Sequence, residues 1–172
     1  MRYNQDMHEN QGKQAKRLAI LSPTHSRQSL RIWMSLADTN HAGNVHGGAI
    51  LKLVDEAAAL AASRHTKTRV VTAALDSMTF DRPVHIGDLL IVESQVNQAW
   101  GSSMEVGVRV LAEEIPSGIC QQVATAYLTM VSLDDQGHTA AVPPLILEND
   151  EDLRHAADAD RRRAHRLAKR DK

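Results

Sequence analysis

The chain has 172 residues, a length suited to one domain with room for tails. Charged residues make up 24% and the formal net charge is -1, so no bulk charge drives binding to nucleic acid or to a membrane surface. Aromatic residues make up 3%, which argues against a base-stacking platform, and no apolar run reaches the roughly 20 residues of a membrane span.

In chain order, residues 1–17 are polar (Asn4, Gln5, Asp6, Glu9, Lys13) and read as a mobile tail without the apolar region of a signal peptide. A first strand is expected within Ser29 to Leu36. Asp38, Asn40, Gly43 and Asn44 then supply loop chemistry. Gly47 to about His65 predicts one helix, rich in alanine and leucine and apolar around nearly its whole circumference, which is the pattern of a buried helix. The period changes to that of strands over Val70 to Phe80, stopped by Pro83. Further strands are expected over Leu89 to Val96, Met104 to Leu111 and Gln121 to Leu133, each bounded by Gly, Pro or Asp turns. Pro143-Pro144 ends this unit, and from about Glu148 an arginine-rich helical tail follows. Its cations read as a solvated face, a phosphate site or a subunit contact. Three segments result: a tail at 1–17, a domain at 18–145 and a charged helical tail at 146–172. Strands segregated from one helix define an α+β class in which an antiparallel sheet curls around the helix and a second copy of the chain covers another side. The lone Cys120 excludes an internal disulfide framework, fits a reducing cytoplasm and reads as a small core residue.

Asp55 is the most informative position, a carboxylate in the middle of an apolar helix. A buried carboxylate requires a partner or a purpose. The structural alternative is an ion pair with Lys52, although Lys52 is equally placed to pair with Glu56. The functional alternative is a general base or nucleophile. His46-Gly47-Gly48 opens the same helix, where two glycines expose N–H groups without intrahelical partners and form an oxyanion or carbonyl-polarising site or, alternatively, a tight-packing turn. Asn40 and Asn44 could each orient a water or a carbonyl, or form an Asx turn. His41 and His46 lack the spacing of helical metal ligands, and no cysteine pair accompanies them, so no metal site is expected. Gly47 and Asp55 lie roughly 12 Å apart along one helix, too far to serve one reacting group. If both are catalytic, Gly47 of one chain meets Asp55 of another, and a two-fold dimer has two equivalent sites.

The run Asp38-Thr39-Asn40-His41-Ala42-Gly43-Asn44-Val45-His46-Gly47-Gly48 resembles the loop and central helix of hotdog-fold acyl-CoA thioesterases of the cytosolic acyl-CoA hydrolase type. Leu53-Val54-Asp55-Glu56-Ala57, Val70-Val71-Thr72, Met78-Thr79-Phe80 with Pro83, Gly87-Asp88, Val131-Ser132-Leu133 and Val142-Pro143-Pro144 extend the resemblance over about residues 25 to 145. It implies hydrolysis of fatty acyl-CoA to free fatty acid and CoA, with CoA as part of the substrate and no separate cofactor. It further implies Asp55 as the catalytic carboxylate, Asn40 of the facing protomer as its polar partner, and Gly47, with Gly48, polarising the thioester carbonyl. The assembly implied is a cytoplasmic homodimer, further a trimer of dimers, without nucleic acid or membrane partners. CoA phosphates would be met by cations such as Arg64, Lys67, Arg69, Arg82 and the tail arginines, and Ser102 and Ser103 resemble a turn near the nucleotide. Two other readings compete: a hotdog-fold dehydratase or hydratase, for which only His46 is a candidate, and a non-catalytic acyl-CoA sensor, which would not need Asp55.

Overall fold

The computed structural model describes residues 19–170, so the expected tail at 1–17 lies outside the described residues. A short helical turn, α1 (Pro23–Ser26), precedes β1 (Gln28–Trp33). The long helix α2 (Gly47–Thr66) follows, then β2 (Arg69–Phe80), β3 (Asp88–Trp100), β4 (Ser103–Glu114) and β5 (Ile119–Leu133), and α3 (Asp150–Arg170) closes the chain. The five strands form one antiparallel sheet in the order β1-β3-β4-β5-β2. This is the α+β hotdog architecture, a sheet wrapped around one central helix. β3 runs past its predicted end by four residues to Trp100, because pairing with β4 continues past a bulge between Val96 and Gln98, whereas β1 stops at Trp33, short of the expected Leu36.

The alternation of β4 builds the core. Met104, Val106, Val108 and Val110 are buried on the α2 side, next to Leu90, Val92 and Val96 of β3 and Ala126, Leu128 and Met130 of β5. Across from them α2 presents Ile50, Val54, Ala57, Ala58, Ala61 and Ala62, all buried. Four alanines leave little between helix backbone and sheet, so the two pack closely. Among the described residues only this face of α2 is covered. Leu51, Lys52, Asp55, Glu56, Leu60 and Arg64 are exposed, so the sheet supplies one side of the cover and the opposite side is open in the single chain.

α3 is not a free solvated arm. It packs against the sheet face opposite α2. Arg162 donates to both carboxylate oxygens of Glu105, at 2.9 and 2.7 Å, and lies 3.7 Å over the Tyr127 ring. Glu105 is fully buried and also accepts from Asn97 Nδ2. Gly107 is required here, since a Cβ at that position would come within 2.5 Å of Asn97 Nδ2. One turn along α3, Arg166 pairs with Asp76 of β2, which also accepts from the Thr129 hydroxyl. The basic tail thus uses two arginines to satisfy two buried acids, and these two are taken out of any phosphate site. Cys120, expected in the core, is exposed at the start of β5, where the strand runs beyond the cover of α2.

His65 closes the C-terminal end of α2 from inside. It is fully buried, and its Nε2 donates to the Pro143 carbonyl at 2.8 Å, tying α2 to the segment that leads to α3. Burial pushes the imidazole below its ordinary value of 6.5 despite the Pro143 contact, and His25 adds to the depression. The unfolded chain therefore binds a proton near pH 6.5 that the folded chain refuses, so stability falls as pH drops below that value. Thermal unfolding of wild type and His65→Gln, which keeps a donor to Pro143 without a titrating ring, checks this. The wild type should lose several degrees more between pH 7.5 and pH 5.5 than the variant; equal losses would remove His65 as the cause.

Candidate active site

The loop before α2 is ordered by its own polar side chains. Ser35 and Asp38 form a reciprocal cap in which the Ser35 hydroxyl and N–H donate to the Asp38 carboxylate, holding it below the usual carboxylate range. Asn40 Oδ1 then accepts from the N–H of Ala42 at 2.9 Å and of Asn44 at 3.3 Å. The Asx-turn alternative is therefore realised at Asn40. It occupies only the carbonyl end of the amide and leaves the Nδ2 hydrogens without a partner among the described residues. The Asn44 backbone closes the loop through the Asn40 N–H, at 2.8 Å.

His46 is the N-cap of α2, and its Nδ1 accepts from the Gly48 N–H at 2.8 Å. The Gly48 donor is already engaged, whereas the Gly47 N–H has no partner among the described residues and stands at the positive end of a 20-residue helix. The space a Gly47 Cβ would fill lies 3.4 Å from the Phe80 ring, so Phe80 of β2 stands beside the start of α2.

Two turns further along α2, Asp55 is exposed rather than buried. It lies on the helix face turned away from the core, beside β2, whose outer side has no strand partner among the described residues. The Thr72 hydroxyl of β2 donates to Asp55 Oδ1 at 2.6 Å. Lys52 pairs with Glu56 at 3.5 Å, so the alternative of a Lys52–Asp55 ion pair is not realised. Asp55 Oδ2 has no partner among the described residues. Thr72 was not singled out from the sequence as a site residue. The signal was a small hydroxyl at the start of the strand that follows the helix, legible only once the helix and that strand are known to be neighbours.

Within one chain these groups do not meet, since Gly47 and Asp55 remain roughly 12 Å apart along α2. The cation candidates are divided as well. Ser102 and Ser103 stand at the end of the sheet where Arg69 pairs with Leu133 and Ser103 with Val131, and Arg64 lies in the last turn of α2. Arg82 lies at the far end of β2, past the Phe80–Ala124 pair. A cleft of about 690 Å³ contains Arg82 with Trp33, Ile86 and Ile119 but none of Asn40, Gly47 or Asp55. The edge between α2 and β2 carries exposed apolar side chains instead: Leu51, Leu60 (47% exposed), Val71, Leu75 and Phe80 (52%). Together with the unpaired strand they mark a surface built for contact with another chain.

Known proteins share this fold. The family model of the thioesterase superfamily matches residues 42–119. An uncharacterized acyl-CoA thioester hydrolase, YkhA of Bacillus subtilis, is 36% identical over 67% of this chain and 67% of its own. The human cytosolic acyl coenzyme A thioester hydrolase is 31% identical over 86% of this chain, which spans only 39% of that longer protein. The Staphylococcus aureus acyl-CoA hydrolase in complex with coenzyme A superposes with a TM-score of 0.84 at 33% identity, covering 89% of this chain and 92% of that one. That complex carries one asparagine changed to alanine, and the same enzyme has also been solved with one aspartate or one threonine changed to alanine. An apo hexameric acyl-CoA thioesterase superposes with a TM-score of 0.85 at 33% identity over 88% of this chain and 97% of that one. With its sheet-wrapped helix, its glycine-opened N-terminus and these relatives, the chain belongs to the thioesterase superfamily, among the hotdog-fold acyl-CoA thioester hydrolases.

Proposed function

We propose that the protein hydrolyses acyl-CoA thioesters in a homodimer with two composite sites, each joining Asp55 and Thr72 of one protomer to Asn40 and Gly47 of the other. The observation that carries this is the Thr72–Asp55 hydrogen bond of 2.6 Å at an open edge of the chain. It fixes one carboxylate oxygen and leaves the other free, while the complementary donors wait at the far end of the same helix. The names of the relatives, and the coenzyme A complex of the Staphylococcus aureus enzyme, support the substrate class. The intervals between the three residues changed to alanine in that enzyme equal those between Asn40, Asp55 and Thr72, which supports their grouping.

The chemistry follows from the atoms left free. The Gly47 N–H donates to the thioester carbonyl oxygen and stabilises the negative charge that grows there, aided by the helix dipole. Asp55 Oδ2 supplies the electron pair, either by attacking the carbonyl carbon or by taking a proton from the attacking water. If water attacks, its oxygen forms the C–O bond, the C–S bond breaks and the proton taken by Asp55 passes to the leaving CoA thiolate. If Asp55 attacks, a mixed anhydride forms as the thiolate leaves, and water then cleaves the anhydride, restoring the carboxylate, releasing the fatty acid and supplying the proton. The Asn40 Nδ2 hydrogens hold the water or the carboxylate in line, since the Asn40 carbonyl is tied into its loop. CoA is substrate here, so no separate cofactor is required. Antiparallel apposition of two β2 strands carries Arg82 of one chain toward Arg64, Ser102 and Ser103 of the other, which turns two divided sets of cations and hydroxyls into one phosphate-binding edge. The hexameric relative supports assembly of three such dimers, and the cytosolic relatives support work in the cytoplasm.

Release of free thiol from a panel of acyl-CoAs tests this reading. Asp55→Ala should lower kcat by roughly a hundredfold or more. Thr72→Val should lower kcat by about tenfold with little change in KM, because it removes orientation and not binding, and Thr72→Ser should restore most of the rate. Undiminished turnover in Asp55→Ala would take this carboxylate out of the chemistry. A fall in kcat for Thr72→Ser equal to that for Thr72→Val would assign Thr72 to packing instead.

A further inference from the structure

The mechanism above makes no use of Asp76. This carboxylate is 8% exposed in its side chain, sits in the middle of the edge strand β2 and points away from α2. It stands at an irregularity in the pairing with β5, between the Leu75–Leu128 and Ser77–Tyr127 pairs. A bulge of this kind re-aims a side chain. Here it aims the carboxylate at the outer face of the sheet, where the Thr129 hydroxyl donates to it at 2.9 Å and Arg166 of α3 pairs with it.

The position of Asp76 along β2 gives this pair a meaning. Thr72 marks the Asp55 end of the site and Phe80 marks the Gly47 end. If Asp55 and Thr72 of one chain meet Gly47 and Phe80 of another, the two β2 strands run antiparallel with Thr72 opposite Phe80 of the second copy. The midpoint of that pairing is Asp76. The two-fold axis therefore passes beside Asp76, and the two Asp76 side chains emerge next to each other on one face of the joined sheet. Like charges directly opposite on paired strands oppose the pairing, and the opposition grows out of water.

We propose that Arg166, delivered by α3 to the back of β2, is the neutralising partner that lets two copies of this chain join edge to edge at Asp76. The proposal rests on the composite-site reading. It makes the last turns of α3 part of the dimer interface without direct contribution to the active site: a chain whose α3 is undocked keeps its core but presents a bare buried acid at the axis. Arg162, one turn earlier, holds α3 down through Glu105 and so sets the reach of Arg166.

Sedimentation of the full chain over a range of protomer concentrations tests this. Arg166→Ala should raise the concentration at which the assembly falls to single protomers by roughly a hundredfold. Arg166→Ala combined with Asp76→Asn should return it to near the wild-type value, because neither charge remains. An Arg166→Ala protein that assembles as tightly as wild type would overturn the proposal, since a contribution of Arg166 to the protomer fold alone would leave the assembly constant unchanged. The axis itself is tested by Asp76→Cys in a background of Arg166→Ala and Cys120→Ser, which should form a disulfide between protomers under mild oxidation. Failure to cross-link in a protein that still sediments as a dimer would move the axis elsewhere and refute the role of Asp76 alone. A wild-type chain that stays a single protomer at every concentration would instead refute the composite-site reading.

Discussion

The separation of Gly47 and Asp55 along one rigid helix is the constraint on which the rest of the structure depends. A rise of about 1.5 Å per residue keeps an N-terminal donor and a mid-helix carboxylate roughly 12 Å apart whatever the surroundings do. No local adjustment brings them to one thioester carbon. The chain answers this by leaving the side of α2 that bears Asp55 open, with an unpaired strand beside it and a strip of leucines, a valine and a phenylalanine around it. Under the proposed composite site, this open edge is where a second copy of the chain, turned over, would pack.

Several features that look unrelated serve this arrangement. The four buried alanines of α2 bring the helix close to the sheet, so that a threonine on β2 reaches the exposed side of the helix at Asp55. The His46 cap engages the Gly48 N–H and leaves the Gly47 N–H without a partner among the described residues. The Asx turn at Asn40 uses up the acceptor of the amide and so determines that this residue donates. In each case a side chain satisfies the local demands of the fold with one atom and presents another.

The fold was largely legible in the sequence. The glycine-opened helix and the alternating strands carry strong periodicities, and their boundaries differ mainly by a few residues where pairing outlasts the hydrophobic pattern, as at Trp100. Asp55, Asn40 and Gly47 were legible as candidates because each is an unusual residue for its local pattern. Thr72 was not, because threonine is an ordinary strand residue and its role arises from a contact between elements 17 positions apart. The burial of Asp55 was misjudged for a related reason: a helix apolar all round suggests cover all round, and the sequence does not say how much of that cover comes from the same chain. The arginines of the tail illustrate the opposite limit. Their number reads first as a solvated face and otherwise as a phosphate site or a subunit contact, whereas Arg162 and Arg166 are taken up by Glu105 and Asp76, acids that lie on distant strands and carry no mark of burial in the sequence.

The account stands or falls on whether the two halves of a site come from different chains. Co-expression of Asn40→Ala and Asp55→Ala chains carrying different tags, followed by isolation of the mixed assembly, addresses this directly. If the halves come from facing protomers, a mixed dimer contains one site with Asn40 and Asp55 both intact and one with neither. Acyl-CoA hydrolysis should then rise from the level of either inactive parent to about half the wild-type rate per mixed dimer. A mixed assembly no more active than its parents would contradict the account, because it would mean that Asn40 and Asp55 act within one chain or not together at all.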